Sequence, residues 1–158
     1  MFAKIMNMLP RDLLVFLYKH TPFVGLKNWI VYRAQHKFLV AVLGIFTNEA
    51  GQILLLNHVY RKEPWGIPGG WMELEKPEDG LKREVLEETG LEIQIDGIAK
   101  ALYNRNPNRV DLIFTGKVIG GTFKPCSEIS QICFCNMNEW PAGMPVSQQK
   151  LIKEILIK

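Results

Sequence analysis

The sequence predicts an α/β domain, a mixed β-sheet with helices packed on its faces, carrying an N-terminal helical extension. Three observations support this. Runs rich in β-branched and aromatic residues, such as FLVAVLGIFT at Phe38–Thr47, alternate with Gly, Pro and Asn clusters and read as strands. One well-marked helix, Pro77–Thr89, falls between the early and the late strands, an order that packs helices against a sheet. From Ser147 onward the apolar positions recur at helical spacing.

Taken in order, Pro10 suits the first turn of a helix over Arg11–His20, which Pro22 stops. Phe38–Thr47 and Gln52–Tyr60 are apolar runs joined by the turn residues 48–51, so two adjacent strands with a tight loop are expected. In the central helix, Pro77 sits near the first turn and Gly90 stops the last. Leu91–Ile95, Ile98–Arg105, Val110–Ile119 and Gln131–Asn136 read as further strands. Ser147 is the expected N-cap of the final helix, with Leu151, Ile152, Ile155 and Leu156 on one face.

A chain of 158 residues suits one domain with a proper core: residues 1–34 as the extension of that domain and 35–158 as its main body. Hydrophobic residues at 47% and charged residues at 22% argue against a fibre or a disordered tail. A net charge of +3 neither demands nor excludes nucleic acid, which is not the favoured partner. Cys126, Cys133 and Cys135 form no metal-type CxxC pair, and free thiols in a reducing cytoplasm are expected. The apolar N-terminal segment lacks a cleavage site and does not read as a signal peptide. Its run at Leu13–Tyr18 is too short to cross a bilayer, which takes about 20 residues. A helix capping the core, or a homodimer contact, is expected ahead of membrane docking, because the basic residues are few and scattered.

Behind the double glycine Gly69-Gly70, carboxylates crowd one helix. Residues three and four apart are helix neighbours, so Glu84, Glu87 and Glu88 share a side next to the apolar strip of Leu81 and Val85. Arg83 can pair with Glu87, which leaves Glu84 and Glu88 without an obvious local cation. Near a cleft, such a cluster either raises its pKa values or binds a cation, and oxygen-rich sites suit Mg²⁺ or Mn²⁺. A Glu-rich helix face is usually just solvated, and EVLEE alone would be read that way. The wider spacing decides otherwise.

Gly69, Glu75, Arg83, Glu84, Val85, Glu87, Glu88, Gly90 and Leu91 match G-x5-E-x7-R-E-U-x-E-E-x-G-U, with U a bulky aliphatic residue. The segment resembles the Nudix box. The strand order from about Phe38 to the last helix is also similar to that family, and the residues before it lie outside the shared pattern. The resemblance implies a Nudix-type α/β/α sandwich. It also implies a loop-helix-loop that holds Mg²⁺ or Mn²⁺ against the diphosphate of a nucleoside diphosphate linked to another group. Glu84, Glu87 and Glu88 would be metal ligands, with the Gly69 carbonyl as a further oxygen. Arg83 would hold the glutamates through a salt bridge, and Glu75 would orient them from the helix start. In one departure, many members read GGxxExGE, and GGWMELE is one residue shorter, which touches Glu75 more than the helix glutamates. Gly80, whose place inside a helix costs roughly 1 kcal/mol relative to alanine, is read as close packing on the sheet.

Metal-assisted hydrolysis of a pyrophosphate bond follows from this resemblance. The general base is left between Glu87 and Glu128, whose plainer reading is a loop residue. Pro107 stands 16 residues beyond Leu91, a spacing that resembles a marker of ADP-ribose pyrophosphatases, and NPN equally suits a turn between strands. Arg105 and Arg109 flank it and could meet a phosphate or a ribose edge. Trp65 or Tyr103 could stack on a base, although core packing suits Trp65 better. Cys133 and Cys135 lie on one side of a strand as buried thiols. ADP-ribose or a nucleotide sugar is the preferred substrate, ahead of RNA 5′ ends and house-cleaning of nucleoside triphosphates. A nucleotide-binding module that does not cut is the alternative of another class, and the intact glutamates argue against it.

Overall fold

The computed structural model describes residues 10–20 and 23–157, and the chain divides after Lys37 into two compact units. The first carries α1 (Arg11–His20) and α2 (Val24–Ala34). Helix α1 is the one expected, while α2 went unread: Phe23 holds its N-cap position without a side-chain bond, so no capping residue announces it. Pro22 lies outside the described residues. Phe16, Phe23, Trp29 and Tyr32 are exposed on this unit. No helix among the described residues is long and apolar enough to cross a membrane.

The second unit runs β1 (Leu39–Thr47), β2 (Ile53–His58), β3 (Trp65–Gly66), β4 (Gly69–Trp71), α3 (Pro77–Thr89), β5 (Leu91–Asn104), β6 (Arg109–Gly121), β7 (Ile129–Cys135) and α4 (Val146–Leu156). The strand order is β3-β2-β1-β6-β5, with β4 beside β1 and β7 beside β2. The pair β1–β6 is parallel and the others are antiparallel, so the sheet is mixed as expected. Successive strand residues point to opposite faces, and here both faces are buried. Val42, Phe46, Leu54, Leu56 and Phe114 pack with Leu81 and Val85 of α3. Ile45, Ile53, Leu55 and Ile113 pack with Ile152 of α4 on the other face. That double burial is why β2 reads as an unbroken apolar run, not an alternating one.

Four details differ from the sequence expectation. The two strands expected at Leu91–Ile95 and Ile98–Arg105 are one, β5, because residues 96–97 form a register shift against β6 instead of a break. Strands β3 and β4 were missed, since two or three residues carry no readable period. Helix α4 starts before Ser147, with Pro145 as its N-cap: the Pro145 carbonyl accepts the N–H groups of Gln148 and Gln149, so Ser147 is already inside the helix. Leu156, expected on the packed face, is exposed. The NPN segment is the turn between β5 and β6.

Candidate active site

Helix α3 is clamped at both ends, and this sets the direction of its glutamates. It opens with Pro77 in the first turn, followed by Glu78 and Asp79, whose charges favour the positive end of the helix dipole. Leu81 and Val85 are fully buried against the sheet. At the far end Gly90 adopts φ 72° and its N–H reaches the Leu86 carbonyl at 2.8 Å. A Cβ on Gly90 would also stand 2.7 Å from the Thr122 carbonyl oxygen. The Thr89 hydroxyl donates to the Val85 carbonyl and accepts the Leu91 N–H, tying the helix to β5.

Arg83 is the hub of the cluster. Its Nη2 donates to Glu75 Oε1 at 2.7 Å and its Nε to the same carboxylate at 3.2 Å. Nη1 donates to Glu84 Oε1 at 2.9 Å and to Glu87 Oε2 at 3.2 Å. Glu84, expected to lack a local cation, therefore shares the one that serves Glu87. The one-residue-shorter loop still delivers Glu75 to Arg83. Bonding to the Arg83 guanidinium holds the Glu75 carboxyl below its ordinary value, and the same bond, with that of Glu84, raises Arg83. Gly80 is explained by this contact and not by the sheet: a Cβ there would lie 3.0 Å from Glu75 Oε1.

The double glycine has its own reasons. Gly70 lies so close to Glu84 that a Cβ would fall on the carboxyl group. Gly69, at φ 140°, faces Leu43 of β1, where a Cβ would collide with backbone. Pro68 and Met72 bond to β1 through Gly44 and Val40, so the alternation of the ladder turns the carbonyls of Gly69 and Trp71 to the other edge. The Trp71 carbonyl there accepts from Arg83 Nη2 at 3.5 Å. The Gly69 oxygen is thus on the edge that faces the glutamate helix.

Of the helix glutamates Glu84, Glu87 and Glu88, the last has no cation bonded to it among the described residues, and its Oε2 is buried without a hydrogen-bond partner. Burial first, then the charges of Glu84, Glu128 and Glu87 against that of Arg61, push it up to about 7. A half-buried carboxylate with an orphan oxygen, among three more carboxylates, is a donor set that a hard divalent cation satisfies. Among the described residues no three acidic, histidine or cysteine side chains already converge as metal ligands, because Arg83 draws Glu84 and Glu87 to itself.

Glu128 is exposed just before β7, and its charge acts on Glu88. Arg105 is exposed in the β5–β6 turn and forms no ion pair among the described residues. Arg109 is tied to the buried Asp111 and lies 5.6 Å from the centroid of the Trp71 ring. Trp65 is half-buried against the α4-side core. Tyr103 is exposed, its hydroxyl donating to Asn108 at 2.7 Å. Cys135 is buried and Cys133 half-buried, as free thiols. Sequence reasoning missed Gly70, Arg61, Asp111 and Trp71. Asp111 left a signal, a carboxylate inside the apolar run VDLIF, and Gly70 left one as half of the double glycine.

A family profile described as NUDIX domain matches residues 37–155. The chain belongs to the Nudix family. A curated relative, a MutT-like protein of Streptomyces ambofaciens, is 34% identical over 101 residues, 63% of this chain and 65% of that protein. The alignment thus spans about two thirds of that relative's length. Among solved structures, an ADP-ribose pyrophosphatase from Streptococcus suis superposes with a TM-score of 0.62 at 24% identity, covering 75% of this chain and 91% of that one. A UDP-X diphosphatase superposes with a TM-score of 0.64 at 20% identity, over 93% of this chain and 75% of that one. These likenesses establish the Nudix fold, with α3 and α4 on opposite faces of the mixed sheet.

Proposed function

We propose that this Nudix protein is a divalent-metal-dependent hydrolase of the pyrophosphate bond in a nucleoside diphosphate linked to another group. ADP-ribose or a nucleotide sugar is the preferred substrate, and Mg²⁺ or Mn²⁺ the preferred cation. The observation that carries the reading is the Arg83 hub, which gathers Glu75, Glu84 and Glu87 beside a buried, unpartnered Glu88 oxygen. The names of the ADP-ribose pyrophosphatase and the UDP-X diphosphatase support the substrate class by analogy of fold.

Glu84, Glu87, Glu88 and the Gly69 carbonyl would hold the cation, which supplies Lewis acidity toward the diphosphate oxygens when bound. Arg83 keeps the carboxylates from swinging apart under mutual repulsion, and Glu75 keeps Arg83 in place. Glu128 is our choice of general base over Glu87. A base has to accept a proton, and Glu87 is engaged by Arg83 whereas Glu128 makes no ion pair among the described residues. The free thiols agree with a cytoplasmic location.

The test is release of nucleoside monophosphate from ADP-ribose, nucleotide sugars, dinucleotides and nucleoside triphosphates, and of pyrophosphate or phosphate from triphosphorylated RNA, with Mg²⁺ or Mn²⁺, for wild type, Glu88→Gln and Glu128→Gln. Metal-dependent turnover abolished by Glu88→Gln is expected. Metal-dependent binding of a panel member without turnover would replace hydrolysis by a binding role.

A further inference from the structure

Trp71 stands directly behind the double glycine and is half exposed, at 51%. A large aromatic surface at that position is costly to leave in water, yet its backbone is firmly placed. Trp71 pairs with Ala41 of β1, and its carbonyl is held by the same Arg83 that gathers the glutamates. One residue back, a strand rise of about 3.3 Å, Gly70 touches the Glu84 carboxyl group. The indole leaves the strand on the face opposite the one that Gly70 turns to Glu84, so the platform and the candidate metal ligands share the β4 backbone but not a face.

Arg109 lies against the ring, 5.6 Å from its centroid. It is locked there. Asp111, only 4% exposed, pairs with Arg109 through both Nε and Nη2. The same carboxylate accepts Asn104 Nδ2 at 2.7 Å. A buried ion pair contributes little or no net stability compared with apolar packing. Asp111 sits between the apolar Val110 and Leu112, with Asn104 and Arg109 at the facing ends of β5 and β6, and the group is therefore better explained by what it orients. It holds a cation against one side of the indole, and the exposed remainder of the ring is open to a planar ligand.

We propose that Trp71 is the platform on which the substrate's nucleobase stacks, with Arg109, Asp111 and Asn104 as its positioning residues. The inference deepens the proposed hydrolysis and rests on it for the diphosphate half of the ligand. Its chemical class is a planar aromatic base joined to that diphosphate. Stacking on a ring face accepts any base, so the platform confers affinity for nucleotides over sugar phosphates without choosing strongly among bases. Trp65 is less suited to this task because it packs against the α4-side core.

Calorimetric titration of the full chain with adenosine 5′-monophosphate, uridine 5′-monophosphate and ribose 5-phosphate, in Mg²⁺, tests the platform without requiring turnover. Wild type is expected to bind both nucleotides more tightly than ribose 5-phosphate by roughly tenfold or more, the scale of one base–aromatic stack. Trp71→Ala should erase that preference and Trp71→Phe should keep most of it. Asp111→Asn, checked for folding by thermal unfolding, should raise KM for ADP-ribose and leave kcat near wild type. A base preference that survives Trp71→Ala, or is absent from wild type, overturns the platform. Base-dependent affinity through Trp71 with no turnover of any substrate supports the platform and counts against hydrolysis alone.

Discussion

Gly70→Ala separates the stability of the site from its geometry. The new Cβ would fall within contact distance of the Glu84 carboxyl carbon. Non-bonded carbons rest about 3.5–4.0 Å apart, so the carboxyl group has to retreat by about 1 Å or more. It can do so cheaply, because it is the end of a flexible side chain and no backbone atom need move. The direct loss is the Arg83–Glu84 pair at 2.9 Å on a partly buried carboxylate. Such a pair contributes roughly 1 kcal/mol, which lowers Tm by about 2–4 °C in a domain of this size. The chemical consequence is larger, since a misplacement of about 1 Å in a positioned group costs roughly 10²-fold in rate. Thermal unfolding by circular dichroism and Mg²⁺-dependent nucleotide release, measured on the same preparation, give both numbers. A kcat/KM within about threefold of wild type in a folded Gly70→Ala protein would mean that Glu84 need not occupy its present position, and the reasoning would fail.

Three further outcomes are expected. Arg83→Lys replaces a fork that reaches Glu75, Glu84 and Glu87 by a single point charge. Its kcat should fall roughly 10²-fold with KM nearly unchanged, and full activity in steady-state assays would remove Arg83 as the hub. His58 is buried with neither ring nitrogen bonded, and burial, aided by the charge of Arg61, lowers it from its ordinary 6.5 to about 4. The fold favours its neutral form, so its contribution is complete above pH 6.5 and is lost as pH falls through 4, by about 3 kcal/mol. Denaturant unfolding between pH 7 and pH 4 should show a shallower decline in His58→Leu than in wild type, and identical slopes would refute the assignment. Cys126 is exposed, while burial pushes the Cys135 thiol up to about 11 and raises Cys133 as well. A thiol-reactive chromophore should label Cys126 rapidly, Cys133 more slowly and Cys135 only after unfolding; equal rates for all three would contradict the burial of Cys135.

What the sequence by itself determined was local: motif, helix and strand type. Pro77 and Gly90 bound the central helix because helix ends tolerate a missing N–H at one side and need a left-handed residue at the other. Periodicity then placed Leu81 and Val85 on the buried side with the glutamates along its edge. The nine-position box carried the family, because spacing along a helix is already geometry.

The tertiary structure decided which distant groups meet. That Arg83 serves Glu84 and Glu75 as well as Glu87 depends on the loop of residues 72–76 folding back over Gly80, and no period encodes a loop. That Gly70 must lack a side chain depends on Glu84, fourteen positions away in sequence and in contact with it only after β4 docks on β1. Asp111 gives the same lesson from the sheet. Its strand was legible, but its partners Arg109 and Asn104 face one another only across the β5–β6 register, and Trp71 joins them through β1. Side-chain pairing between strands is set by register, which hydrogen bonding and core packing choose together once the chain has collapsed.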